Sequence, residues 1–159
     1  MLMAVGGSRL FIGQERSGSQ GHAFSAADVT GESWAEIGNV EGIGSVGVSW
    51  ETMDVTSLQT GGGMAETMKS VMRSQVMEII LGADPSDAGQ QRLWAAAKST
   101  DAYAFRLDLP DAQAGGTPSQ RLWLGLVTEF AEDLESASNV IKMRAALVLN
   151  SPLVRVAAA

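Results

Sequence analysis

Residues Trp34–Leu58 read WAEIGNVEGIGSVGVSWETMDVTSL. Short runs of residues that favour extended backbone alternate with glycines. Trp34–Val40 comes first, Gly42–Gly47 forms a spacer, and Val48–Trp50 and Met53–Leu58 lead into GGGMAETMKS at 61–70. β-branched and aromatic residues suit a pleated, half-buried surface, and glycines inside such runs mark bends, bulges or close approaches. A segment of this kind builds sheet edges and loops. It carries no nucleophile beside a base.

The chain further on supports a β-rich fold. In Ala102–Leu109, Tyr103, Phe105, Leu107 and Leu109 fall on one face, with Ala102, Ala104, Arg106 and Asp108 on the other. In Arg121–Phe130, Leu122, Leu124 and Leu126 oppose Arg121, Trp123 and Val127. In Asn139–Leu149, Ile141, Met143, Ala145, Leu147 and Leu149 align. Successive side chains on a strand point to opposite faces, so period-two alternation predicts half-buried strands. The last segment is rich in Ala and Leu, which also fits a helix, and its alternation favours a strand. Gln75–Leu81 is a further strand candidate.

One helix is signalled at about 84–99. Asp84 stands as N-cap and Pro85 at the first helical position, with Asp87 near the positive end of the helix dipole. The body AGQQRLWAAAKS consists of good helix formers, with a narrow apolar stripe of Leu93, Trp94 and Ala97. The expected fold class is mainly β: a β-sandwich or barrel with one flanking α-helix, a long N-terminal arm and a long central loop. The arm spans 1–33 and contains the polar stretch QERSGSQGHAFSAADVTGES. The β-domain spans 34–159, with the central loop at 59–73. DAQAGGTPS at 111–119 joins two strands as a hairpin. Gly61, Gly62 and Gly63 give the central loop freedom, and Met64, Met68, Val71 and Met72 give it apolar surface that can adapt to a partner. It is either a solvated excursion or an arm ordered by a neighbouring subunit.

Composition narrows the function classes. With 159 residues the chain is large enough for one domain with a real core. The first residues, MLMAVGGSRLFIG, are too short and glycine-broken for a signal peptide, and no apolar run is long enough for a membrane span. Having no cysteine removes disulfides and thiol chemistry and fits a reducing cytoplasm. The net charge of −7 argues against gripping a phosphate backbone, which calls for a basic face, though not against a wall past which DNA slides. The single histidine, His22, lies in a Ser/Gly-rich tract and reads as a solvated loop residue. Glu129, Glu132, Asp133 and Glu135 lack the spacing of a calcium loop and read as a solvated hairpin tip. Gly42-Ile43-Gly44 lacks the third glycine of a nucleotide-binding turn. Core packing is the default for Trp34, Trp50, Trp94 and Trp123. No catalytic residue, metal site or cofactor is expected.

The order of features resembles the major tail tube proteins of long-tailed, siphovirus-type bacteriophages. It comprises the Trp34–Val40 strand, Asp54-Val55-Thr56-Ser57-Leu58, the long loop and the Gln75–Leu81 strand. The Asp84–Leu93 helix start, Phe105–Pro110 and a C-terminal Val/Ala strand complete it. The arm before Trp34 departs from that family by being longer and more polar. The resemblance implies a structural virion protein that assembles in the host cytoplasm into stacked hexameric rings. The rings form the tail tube through which DNA is ejected. It also implies the tape measure protein and the tail terminator and initiator proteins as partners, with DNA passing unbound and no membrane involved. The central loop would make inter-ring contacts. An acidic lumen would repel phosphate, and Glu41, Glu51, Asp54 and Glu78 are the candidates to line it. Two other readings stay open: a tube subunit of a contractile tail or type VI-like secretion system, and a monomeric β-sandwich binding module.

Overall fold

Alternation decides which side chains meet. A computed structural model describes residues 2–17, 23–59 and 61–159; His22 lies outside them. Ten strands and one helix are described: β1 Arg9–Arg16, β2 Ala35–Glu36, β3 Val40–Ile43, β4 Val48–Asp54, β5 Thr67–Ser74, β6 Val76–Gly82, α1 Ala88–Lys98, β7 Ala102–Asp108, β8 Gln120–Asp133, β9 Lys142–Leu149 and β10 Val154–Val156. Eight strands form one antiparallel sheet in the order β2-β1-β7-β8-β9-β6-β3, with β10 beside β8; β4 and β5 pair only with each other. The fold is the expected β-sandwich type with one flanking helix.

The two ends of that sheet are close in sequence. β2 and β3 are its outermost strands, yet only Ile37, Gly38 and Asn39 separate them. At 3.8 Å per Cα step the gap can be at most about 15 Å. The sheet must therefore curl until its edges face each other, as in a barrel. Inside lie Leu10, Ile12, Met77, Ile79, Leu81, Leu93, Phe105, Trp123 and Leu147. The indole of Trp123 stacks on Phe105 with centroids 5.8 Å apart. Gly125 makes that approach possible, since a Cβ there would stand 3.2 Å from both rings. The opposite face carries a smaller cluster of Phe24, Ala102, Ala104, Leu122 and Leu124.

The helix joins the edges. The side chain of Asp87 caps it, accepting from the Gln90 amide at 2.9 Å, and also accepts from the Gly38 amide at 3.1 Å. The Gln90 side chain, only 3% exposed, accepts from the Asp84 amide at 2.9 Å. It also donates to the carbonyls of Gly38 at 3.0 Å and Gly82 at 2.9 Å. Gln90 thus bonds the β2–β3 link to the end of β6.

Several expectations are corrected. The N-terminal arm is not free over 1–33: β1 pairs with β7, and Leu10 and Ile12 are buried in the core. Phe24 is buried on the second face, and Glu32 is held by Arg16 and the Gln14 amide. Asp84 does not cap the helix. It binds the Ser86 amide and hydroxyl in a turn, and the helix starts after Asp87, which can serve Gly38 as well. The buried stripe is Gly89, Gln90, Leu93 and Ala96, while Trp94 is 46% exposed. Of the four tryptophans only Trp123 is fully buried; Trp34 is half-buried and Trp50 is 45% exposed. The Trp34–Val40 strand is broken at Ile37–Asn39, where Asn39 takes the left-handed conformation at φ 57°. Asn139–Leu149 is a strand from Lys142, and no helix forms there.

Candidate assembly surface

The central loop is shorter than expected, and its last part is strand. The expected loop 59–73 ends at Ala65–Glu66, because β5 begins at Thr67 and pairs with β4 from Asp54↔Thr67 to Val48↔Ser74. The backbone ladder continues past the sheet boundary through Gln75 N–H to the Gly47 carbonyl at 3.3 Å and Gly44 N–H to the Glu78 carbonyl at 2.7 Å. β3–β4 and β5–β6 therefore form one two-stranded ribbon. Its base belongs to the barrel and its outer half stands clear of it.

Cross-strand register sorts the outer half into two faces. Trp50 opposes Met72, and Thr52 opposes Lys69, whose ammonium lies 5.4 Å from the Trp50 ring centroid. Val48 shares that face. The other face carries Met53 opposite Met68, and Glu51 bonded to Arg73. Val48, Trp50, Met53, Val55, Met68 and Val71 are each 40% exposed or more. At the tip, Val55 N–H bonds the Glu66 carbonyl and Glu66 N–H bonds the Thr56 hydroxyl, both at 2.9 Å. Gly62 and Gly63 turn the chain at φ 76° and 68°, where a Cβ would be strained. Leu58 and Met64 project fully and 78% exposed.

The structure thus brings all seven residues expected in the loop onto one ribbon: Gly61, Gly62, Gly63 and Met64 at the turn, Met68, Val71 and Met72 on β5. Of the four candidate acids, Glu51 and Asp54 lie on β4, Glu41 on β3 and Glu78 on β6, all exposed. Three have a cation beside them: Lys142 bonds Glu41 at 2.8 Å, Arg73 bonds Glu51, and Arg144 stands 3.9 Å from Glu78. Asp54 is different. Hydrogen bonds from the Thr56 side chain and amide hold its carboxyl below the usual carboxylate range. Sequence reasoning missed Trp50, Met53 and Val55 as part of this surface. The signal was there in β-favouring apolar residues without a buried partner strand.

Among the described residues no helix is long and apolar enough to cross a membrane, and no group of three His, Asp or Glu is arranged to hold a metal ion. No family model matches the chain, and no curated protein does. Solved structures do. The SPP1 tail tube subunit superimposes with a TM-score of 0.63 at 10% identity, over 92% of this chain and 76% of that one. The tail of the empty gene transfer agent (GTA) particle gives 0.61 at 17% identity, over 91% and 92%. A chain from the sheath/tube terminator of the extracellular contractile injection system PVC gives 0.66 at 11% identity, over 99% and 98%. At these identities the likeness is one of fold, which this chain shares with those tube and tail chains.

Proposed function

We propose that this chain is a structural subunit that assembles with copies of itself into stacked hexameric rings, forming a tail tube through which DNA leaves a long-tailed phage particle. One observation carries the reading: an ordered ribbon, detached from the core, that presents apolar side chains on both faces and a free backbone edge on each strand. A two-stranded hairpin is marginal in water on its own, and exposed strand edges invite pairing. Contacts between different patches of identical copies close into rings or continue as filaments. The acidic residues of the ribbon would face a lumen in which phosphate is repelled. Of the four, Asp54 keeps its charge without a cation beside it and is the first to test. The tape measure protein and the terminator and initiator proteins are the partners such a tube needs at its bore and ends.

The experiment is negative-stain microscopy with sedimentation of the purified chain, beside Trp50→Ser and Met68→Ser, which alter opposite ribbon faces. Wild type gives rings and tubes. The variants keep monomer stability within about 0.5 kcal/mol, as exposed substitutions do, and fail to polymerise. A strictly monomeric wild type at high concentration refutes the reading and leaves a monomeric binding module. The likeness to a contractile injection system chain supports a second reading, a tube that works inside a sheath. Co-assembly with a sheath protein separates the two.

A further inference from the structure

We infer that the recess between α1 and the ends of β6, β9 and β8 binds an alkyl diammonium ion of the polyamine class, one ammonium at Asp84 and the other at Glu132. The inference is independent of the self-assembly reading above. The recess encloses about 190 Å³. An engineered apolar cavity of about 150 Å³ holds a benzene molecule, so the space suits a short alkyl chain. Its apolar wall is Ala83, Pro85, Trp94, Phe130 and Met143. Trp94 is 46% exposed and packs on Phe130 with ring centroids 4.9 Å apart.

Three observations select the guest. The first is the spacing of charge. Glu132 opposes Met143 across β8–β9, and Met143 opposes Leu81 across β9–β6. Neighbouring strands lie about 4.8 Å apart, so the β8 and β6 sides of the recess are about 10 Å apart at the backbone. Glu132 stands on the first side and Asp84, just past β6, on the second, with Met143 between them. One cation cannot meet both acids at that separation, whereas two ammonium groups joined by methylenes can. The second is what the recess offers. Asp84 and Glu132 are the ionisable groups that line it, and neither is ion-paired among the described residues. Asp84 Oδ1 takes both bonds from Ser86, which hold the carboxyl below the usual carboxylate range and leave Oδ2 to a guest. The Gln91 amide group donates to the Pro85 carbonyl at 2.7 Å, and Gln90 is committed to the barrel ends. A guest therefore meets acceptor oxygens and hydrocarbon.

The third is that the chain's own cations are engaged elsewhere. Arg9, Arg16, Arg73, Arg106, Lys142 and Arg144 pair with other carboxylates. Lys69 lies against Trp50, and Lys98 against Trp94 from one turn further along α1, outside the recess. Arg92 and Arg121 donate to backbone carbonyls. Among the described residues Arg155 alone has no partner. A second copy thus has little free positive charge to bring, and a free dication needs no existing pair to break.

The test titrates cadaverine into the dilute full chain at low salt, following the Trp94 indole N–H by NMR, assigned with Trp94→Phe. Pentylamine and an acetylated, amidated lysine peptide are the single-charge probes. Cadaverine should bind about fivefold more tightly than pentylamine, the upper end for a second solvent-exposed ion pair. Asp84→Asn and Glu132→Gln keep the shape of each side chain and remove one charge. Each should keep the melting temperature and lower cadaverine binding to the pentylamine level. The advantage of cadaverine should also shrink as salt rises. Equal binding of cadaverine and pentylamine, no shift of the Trp94 signal, or full cadaverine affinity in either variant overturns the inference. So does tighter binding of the lysine peptide, which would assign the recess to a side chain of a partner protein. None of these results bears on whether the chain forms tubes, which microscopy decides separately.

Discussion

Replacing Gln90 by alanine tests whether the helix closes the barrel. The Gln90 side chain makes three hydrogen bonds, at 2.9, 3.0 and 2.9 Å, to the Asp84 amide and the carbonyls of Gly38 and Gly82. Truncation leaves one donor and two acceptors without that partner. A buried polar group left unsatisfied costs about 1–3 kcal/mol. Gly38, Gly82 and Asp84 are half-buried, so water replaces part of each bond and the lower end of the range applies. The three together come to about 3 kcal/mol, and the lost methylene adds about 0.8 kcal/mol. The better helix propensity of alanine returns a few tenths. The net loss of about 3–4 kcal/mol is a large share of a total stability of about 5–15 kcal/mol. At about 2–4 °C per kcal/mol for a chain of this size, the melting temperature falls by about 10 °C. Circular dichroism during thermal and urea unfolding of the dilute monomer measures this. Gln90→Glu is the diagnostic companion. It keeps the acceptor for the Asp84 amide and puts an oxygen against two carbonyls, so it is destabilised at neutral pH and recovers as acid protonates it into a donor. A Gln90→Ala variant that melts within about 2 °C of wild type would show that the closure does not depend on this residue.

Three further outcomes follow from single sites. Gly89→Ala should destabilise by about 2 kcal/mol in urea despite alanine's better helix propensity, because a Cβ there stands 2.1 Å from the Glu36 carbonyl oxygen; a stabilised variant refutes the close approach of α1 to β2. Burial raises the Asp108 carboxyl above its ordinary range, against the opposing pull of Arg106, Arg9 and Gln120. Its ionised form therefore opposes folding above the raised value, and that opposition fades as pH falls through it and is gone below the unfolded value of about 3.9. Wild type should then gain stability relative to Asp108→Asn from about pH 7 to about pH 4, and parallel denaturation curves across that range would contradict the shift. Asp54→Lys should leave tubes intact and slow DNA ejection, with the slowing weakened by added salt; ejection at the wild-type rate removes Asp54 from the lumen.

How much was legible in advance depended on whether the two faces of a strand carry different kinds of residue. β8 and β9 alternate between the core and the second cluster or solvent, and β7, buried on both faces, still alternates Ala102, Ala104, Arg106 and Asp108 with the larger Tyr103, Phe105 and Leu107, so all three were readable from period two. β1 was not, because Leu10, Phe11, Ile12 and Gly13 are all buried, and a bulge between Ile12 and Glu15 shifts its register. A strand covered on both faces gives a run, not an alternation. β4 and β5 fail for the opposite reason. Both faces are exposed and both carry apolar and charged residues, so no period appears. The helix start was ambiguous between two aspartates three positions apart, and the choice of Asp87 depends on Gly38, 49 residues away. Nor could the candidate acids reveal their partners: Glu41 meets Lys142 across 101 residues.

The division into a closed barrel and a projecting ribbon changes what opposes assembly. A loop without structure of its own would lose about 1–2 kcal/mol of conformational freedom per residue on docking. Here β3 and β6 anchor the base in the barrel, and one ladder runs outward to Val55 and Glu66. The ordering has been accomplished by the core before any partner arrives. What is left unsatisfied in the free subunit is the water-exposed apolar surface of Trp50, Met53, Met68 and Val71. An ordered strip of this kind drives association more strongly than a disordered one of equal area, since mainly the loss of translational and rotational freedom opposes it. On the proposed self-assembly, restraint on premature association would come from elsewhere, and the net charge of −7 on every copy would supply it. The pairing of Glu51 with Arg73 removes local charge from the ribbon itself. Attraction therefore acts at contact range along the ribbon, while repulsion between whole subunits acts out to the screening length of about 8 Å at physiological salt.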